Sequence, residues 1–473
     1  MHLRKWQIEC IEQCISNFSK GEKHFLCLAT PGAGKTTMAS TLARKLLEEN
    51  YIDMVMCFSP SVVVAADFKA ELEAKTGKTL NGLLGSIGFS VTYQSMLSLE
   101  PHFWSLLKRY RTLVIFDEIH HCAGTGVPGE PTLANAWGSK VISNIQGEAA
   151  YTIALTGTPW RSDQLPIVLA NYNRKSGLVK CDYSYGLTQA IKDNVCRLPQ
   201  FTIIDNDNVG YIHDKTSTYY QSFSELLNES NCSYQKLLES KDLIQYCLSK
   251  ATKKLDSLRR KNEFAGGLIV STSVSHANQI HRILLDKFGE NADIVTHKDI
   301  DAPKKIREFK HSDRKWIISV GMISEGTNIP RLQVCCHLTR VKTELYFRQI
   351  LGRILRSHGK HSEIGYMFVP AEPTLIEYAN SVKNDTPSYP AIEDQVAKEE
   401  NTSYSLEDIT VDDKNSEKIR KQEEIILGKF SHHRPEPFDD ENFTPLKTKL
   451  SIEYLDNIQV NGNFIHKDIR IDL

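Results

Sequence analysis

The sequence predicts an α/β protein built from two parallel-sheet domains in tandem, with a helical insert and a C-terminal tail. Length is the first reason, since 473 residues exceed one ordinary core and suit two packed domains with a remainder. The second is a set of short apolar runs, FLCLAT (25–30), MVMCFSP (54–60), LVIFDE (113–118) and YTIALTGT (151–158). Each has the length and composition of a strand buried on both faces. Between them, residues 36–49 and 62–76 carry apolar residues at helical spacing, and alternating strand and helix units imply a parallel sheet. The third is that the pattern returns in FAGGLIVST (264–272), NADIVTH (291–297), KWIISVGM (315–322), LQVCCHLT (332–339) and IGYMFVP (364–370).

These runs place the first domain at residues 1–190 and the second at 191–371. A helical segment is expected at about 217–262, where Leu226, Leu227, Leu237, Leu238, Leu243, Ile244, Leu248 and Leu255 recur at helical spacing. Residues 372–473 read as an acidic linker and accessory tail, polar and interrupted by Pro387 and Pro390. The last stretch, 450–473, regains apolar residues and is a candidate to dock on the rest of the chain or on a protein partner.

Composition narrows the class. Hydrophobic residues make up 41% and charged residues 24%, as in soluble globular proteins, and no apolar run reaches the roughly 20 residues of a membrane span. The N-terminal MHLRKWQIECIEQC lacks the order of a secretory signal, so a cytoplasmic protein without membrane contact is expected. Eleven cysteines without paired CxxC spacing read as buried or free thiols, and His432 and His433 have no metal-ligand spacing with them. The net charge of −1 would by itself argue against a nucleic-acid partner. It conceals a separation: residues 304–360 hold thirteen Lys and Arg against four acids, whereas 371–413 is acidic.

The strongest chemical signal is a glycine-rich turn that opens a helix. The strand at 25–30 runs into Pro31, Gly32, Ala33, Gly34, Lys35, Thr36 and Thr37. Such a turn directs backbone N–H groups and a helix dipole at phosphates, Lys35 reaches the outer phosphates, and the Thr36 hydroxyl can ligate Mg²⁺. Ala29 stands where the full pattern has its first glycine. Further on, Leu113 to Phe116 deliver Asp117 and Glu118 to the end of a buried strand. An acid there holds Mg²⁺ and the next orients and deprotonates the attacking water. ATP and Mg²⁺ are therefore the expected ligands.

In that order the residues resemble superfamily 2 helicases of the DEAD/DEAH type. Asp117-Glu118-Ile119-His120 resembles their motif II, adding His120 to the catalytic candidates, and LTGTPWR (155–161) resembles motif III. LRKWQ (3–7) is similar to the motif whose glutamine contacts adenine, which nominates Gln7 and, beside it, Arg4. GLIVSTS (267–273) resembles motif IV. VGMISEGTNIP (320–330) resembles motif V, nominating Gly326 and Asn328 near the nucleotide, with Asn328 where Asp is usual. YFRQILGRILRSHG (346–359) resembles motif VI. Its Arg353 and Arg356 lie three apart on an expected helix with Gln349 one turn earlier, so all three can face one phosphate once two domains close. The resemblance spans roughly 3–370, begins almost at residue 1, and implies two RecA-like domains. Specificity is then expected from inserts, tail or partners. Thr156-Gly157-Thr158 leans toward the DNA-translocase and type III restriction helicase-subunit branch by analogy of fold.

The same resemblance puts a nucleic-acid strand across both domains, DNA ahead of RNA, held mostly through phosphate and sugar. SPSVVVAADF (59–68) resembles motif Ia and VTYQSM (91–96) motif Ib, nominating Ser61, Thr92, Tyr93 and Gln94. Ser271, Thr272, Thr296 and His297 are their counterparts in the second domain. Each hydroxyl serves equally well as a strand-end or helix-cap group. The Gly/Pro-rich loop 122–138 either clamps nucleic acid or joins helices, the joining role being favoured. Two functions share every motif: an ATP-driven helicase or translocase, and an ATP-gated clamp or sensor subunit that never separates strands.

Overall fold

The computed structural model describes residues 3–124, 134–163, 165–173, 175–213, 216–323, 329–357, 363–382 and 457–470. Gly326, Asn328, the centre of the 122–138 loop and the acidic stretch with His432 and His433 lie outside the described residues.

The first half contains β1 (His24–Ala29), β2 (Met54–Ser59), β3 (Gly88–Thr92), β4 (Thr112–Asp117), β5 (Tyr151–Thr156), the two-residue strands β6 (Asn171–Tyr172) and β7 (Val179–Lys180), and β8 (Tyr183–Tyr185). Its main sheet has the order β3-β2-β4-β5-β1-β8, and every pair in it is parallel. Its helices are α1 (Lys5–Ser19), α2 (Lys35–Glu48), α3 (Val62–Thr76), α4 (Tyr93–Leu97), α5 (Pro101–Arg109), α6 (Ala136–Asn144) and α7 (Leu187–Lys192). Because successive side chains in a strand point to opposite faces, the apolar runs divide between two cores. Phe25, Cys27, Val55, Cys57, Leu113, Ile115, Ile153 and Leu155 pack with residues of α1, α2 and α3. Leu26, Met56, Phe58, Val114, Phe116 and Ala154 pack with α4, α5 and α6.

The second half holds β9 (Leu198–Asn206), β10 (Val209–His213), β11 (Thr216–Tyr220), β12 (Gly266–Ser271), β13 (Ala292–Thr296), β14 (Trp316–Val320), β15 (Leu332–Leu338), β16 (Ile364–Pro370), β17 (Asn457–Val460) and β18 (Phe464–Arg470). Helices α8 (Phe223–Glu229), α9 (Tyr234–Leu238), α10 (Lys241–Arg259), α11 (Val274–Phe288), α12 (Ala302–Lys310), α13 (Glu344–Ile354) and α14 (Pro373–Ser381) accompany them. The sheet order is β13-β14-β12-β15-β16-β9-β18, parallel except for the antiparallel edge strand β18. The chain therefore has the tandem RecA-like α/β fold.

Two boundaries differ from the sequence reading. The segment expected to be helical from about 217 opens with β11, which pairs antiparallel with β10, and helices begin only at Phe223. Thr216–Tyr220 reads Thr-Ser-Thr-Tyr-Tyr, rich in β-branched and aromatic residues, a strand composition without a helical stripe. The tail is likewise not one accessory piece. β17 joins β10 and β18 completes the second sheet beside β9, with Asp468 accepting hydrogen bonds from Gln200 Nε2 (3.0 Å) and Thr202 Oγ1 (2.7 Å). Among the described residues no helix is long and apolar enough to cross a membrane.

Candidate nucleotide site

β1 ends in a turn in which Gly32 has φ +87° and Gly34 φ +98°, left-handed values that side-chain-bearing residues rarely adopt. Gly34 is the N-cap of α2, so the loop's N–H groups and the helix N-terminus face one space. Lys35, the first residue of α2, folds back over the turn. Its Nζ lies 3.2 Å from the Ala29 carbonyl and 2.9 Å from Glu118 Oε1.

Glu118 follows β4 with φ +51°, uncommon for a residue other than glycine and typical of backbone held by its surroundings. Lys35 holds one carboxylate oxygen, and the Gly157 N–H donates to the other at 3.2 Å. Asp117 ends β4 and is buried, and its carbonyl accepts a hydrogen bond from the Tyr93 hydroxyl at 2.8 Å. His120 is buried with Nδ1 2.9 Å from Thr156 Oγ1. The Thr156 hydroxyl donates its proton to the Thr158 carbonyl at 2.9 Å, so Nδ1 must be the protonated nitrogen of His120. His120 thus braces the acidic turn against residues 156–158.

α13 supplies the other wall. Gln349 and Arg353 are buried on it, and Arg356 follows two residues after its end. Gly352 permits their approach, because a Cβ there would lie 2.6 Å from Pro31 Cβ. Residues of both halves therefore line one cavity of about 600 Å³: Lys35, Thr36, Asp117 and Glu118 from the first, Gln349, Arg353 and Arg356 from the second. Burial, and then the neighbouring Arg353, pull the pKa of Arg356 downward, so this wall favours an anion. Thr36 and Asp117 offer the hard oxygen donors that Mg²⁺ requires.

Several candidates stand elsewhere than the sequence suggested. Arg4, Gly32, Gly34, Thr36 and Thr37 reach the cavity, but Gln7 and Ala33 are buried behind it. Gln7 Nε2 donates to the Gly34 carbonyl (2.9 Å), while Arg4 and Trp6 donate to that of Ala33 (2.6 and 3.2 Å). They buttress the turn. Tyr93 is fully buried and cannot face solvent, because its ring fills the core under β4 and stacks on Trp137 at 5.6 Å. Ser61 and Thr92 cap α3 and α4, with Gln94 partly buried beside Tyr93. Ser271 is buried with its hydroxyl near the Ser319 carbonyl, Thr272 meets His276, Thr296 is buried, and His297 is exposed. All lie at or just beyond the C-terminal ends of strands. In the second half, however, the cavity residues Pro330 and Arg356 lie at the opposite edge, before β15 and β16.

Sequence reasoning missed three contributors. Asp67 on α3, inside the motif Ia-like run but not singled out from it, and Lys310 on α12, inside the basic segment, line the cavity from opposite halves. Arg197, buried just before β9, donates to Glu363 Oε2 (2.7 Å) and to the carbonyls of Leu332 (2.8 Å) and Ile354 (3.1 Å), fixing the end of α13. Its sequence context, an arginine before the mixed strand LPQFTIIDN, gives no signal of that role.

Comparison with known proteins agrees with this architecture. The family model described as the res subunit of type III restriction enzymes matches residues 1–161. Protein Rv2917 of Mycobacterium tuberculosis, without an assigned function, is 28% identical over 396 residues, covering 80% of this chain and 63% of its own length. The Saccharomyces cerevisiae protein IRC3, whose name proposes an ATP-dependent helicase, is 22% identical over 376 residues, covering 75% of this chain and 50% of the yeast protein. This chain thus spans about half to two thirds of these relatives. Among solved structures, a fragment assigned to the HsdR subunit of a type I restriction enzyme from Vibrio vulnificus superposes with a TM-score of 0.56 at 16% identity, covering 82% of this chain and 68% of that one. The ATP-dependent type ISP restriction-modification enzyme LlaBIII bound to DNA gives 0.51 at 14%, covering 81% and 30%. With the ordered motifs and the tandem RecA-like sheets, these similarities show that the chain resembles the superfamily 2 helicases and, over residues 1–161, the res subunit of type III restriction enzymes.

Proposed function

We propose that the chain hydrolyses ATP between its two halves and uses the cycle to move along or separate strands of DNA. One observation carries the reading: the phosphate-loop lysine, the carboxylate pair and the two arginines, 318 residues apart between Lys35 and Arg353, line a single cavity. Phosphates bound by the loop take over Lys35 and release Glu118 from its ion pair. Glu118 then accepts a proton from the water that attacks the γ-phosphate, while Arg353 and Arg356 counter the charge on the leaving phosphate oxygens. Thr36 and Asp117 would hold Mg²⁺, which would supply positive charge to offset that of the phosphates.

DNA is preferred to RNA because LlaBIII, which shares the fold, is described as bound to DNA, and because residues 156–158 read Thr-Gly-Thr. ATPase rates measured in parallel with single-stranded DNA, double-stranded DNA and RNA test the reading. Stimulation by DNA above RNA is expected, and no stimulation by any of them would overturn it. A strand-displacement assay alongside distinguishes a helicase from a double-strand translocase or a clamp.

A further inference from the structure

α13 has a second stripe. One turn before Gly352, on the side that meets the first half, Arg348 sits with its guanidinium carbon 5.3 Å from the centre of the Trp160 ring. Trp160 belongs to the loop after β5 and is buried. A guanidinium within about 6 Å of an indole face is in cation–π range, and exclusion of water strengthens the contact.

Both partners are held firmly. Arg161, next to Trp160, donates to the His120 carbonyl at 2.5 Å, and Gly157 and Thr156 engage Glu118 and His120, so the tryptophan is tied to the acidic turn. Arg348 is fixed by Glu344 one turn earlier (2.9 Å) and by the carbonyls of Ser381 (3.3 Å) and Val382 (3.2 Å) at the end of α14. Trp160 and Arg348 thus join the loop that orients Glu118 to the helix that carries Arg353.

We propose that Trp160 and Arg348 are positioning residues that set the register of α13 over the phosphate loop, so that this contact favours the arrangement in which Arg353 and Arg356 reach the reacting phosphate. The inference rests on the ATPase reading of the cavity. Neither side chain touches the nucleotide space itself, so the contact acts on turnover and leaves nucleotide affinity intact.

The test measures kcat for ATP, and binding of a fluorescent non-hydrolysable ATP analogue, in the full chain. Trp160→Leu keeps an apolar side chain, though a smaller one, and removes the indole face. It is expected to lower kcat about 10-fold with less than about a 2-fold change in analogue affinity. Trp160→Phe, which retains an aromatic face, restores most of the rate. Arg348→Met lowers kcat similarly, and the double variant is no slower than the worse single variant, as required of partners in one contact. The proposal is overturned if Trp160→Leu turns over at the wild-type rate, if the single losses multiply in the double variant, or if analogue affinity falls in step with kcat. Should Trp160→Leu fail to fold, the Trp160→Phe and Arg348→Met pair decides: normal kcat in Arg348→Met overturns the proposal. If the wild-type chain itself hydrolyses no ATP, the ATPase reading fails, an outcome separate from any failure of this contact.

Discussion

Glu118 is the residue on which the proposed chemistry turns, and it is tightly held: it has a left-handed φ, one oxygen on Lys35 and the other on the Gly157 N–H. Glu118→Gln keeps the shape and removes the base. It is expected to bind nucleotide with wild-type affinity and turn it over about 10² to 10⁴ times more slowly; loss of binding would instead make Glu118 a structural residue. His337 makes a different prediction. Burial in β15 pushes its pKa down from 6.5 to about 4. Below pH 6.5 the unfolded chain takes up a proton that the folded chain refuses until about pH 4, so stability falls across that window as pH decreases. At the lower end the loss is about 3 kcal/mol. Comparing urea midpoints at pH 7 and pH 5 in wild type and His337→Leu isolates this contribution from the carboxylates; an equal acid sensitivity in both proteins would refute it. Residue roles were only partly legible in the sequence. Lys35 and Arg353 stood in recognisable patterns, whereas Asp67 and Lys310 acquire a place in the site only because α3 and α12 are brought face to face.

At the level of elements, the approach of α13 to the phosphate loop depends on Gly352. Gly352→Ala places a methyl against Pro31, both well packed, and is expected to cut ATPase at least about 10-fold while nucleotide affinity changes less. Wild-type turnover would show that the loop and helix adjust without cost. The edge strand β18 is the other informative element. The whole of β18 pairs with β9, from Gln200 to Asn206, and Phe464 stacks on Tyr246 at 4.3 Å. Deleting residues from 457 onward is expected to lower the melting temperature of the second half by several degrees; an unchanged transition would mean that β18 adds no stability. The parallel strands were readable because burial on both faces makes them continuous apolar runs. β9 begins Leu-Pro-Gln, and β18 reads Phe-Ile-His-Lys-Asp-Ile-Arg, so neither carries such a run. β18 also pairs with a strand more than 250 residues away, a relation that local pattern does not contain.

The whole molecule is a pair of RecA-like sheets that meet by different edges. The first contributes the C-terminal ends of its strands, with the phosphate loop and acidic turn, and the second contributes the N-terminal edge of its sheet and α13. The candidate nucleic-acid hydroxyls of the second half, at Ser271 and Thr296, consequently sit away from the cavity, whereas Ser61 of the first half follows Pro60, which lines it. In the proposed mechanism one ATP site is shared between the halves. Turnover and nucleotide binding measured side by side in Lys35→Ala and Arg356→Ala test it most directly. The account predicts that Lys35→Ala loses both, while Arg356→Ala still binds ATP but hydrolyses it at least about 10³-fold more slowly. Wild-type turnover in Arg356→Ala would contradict it.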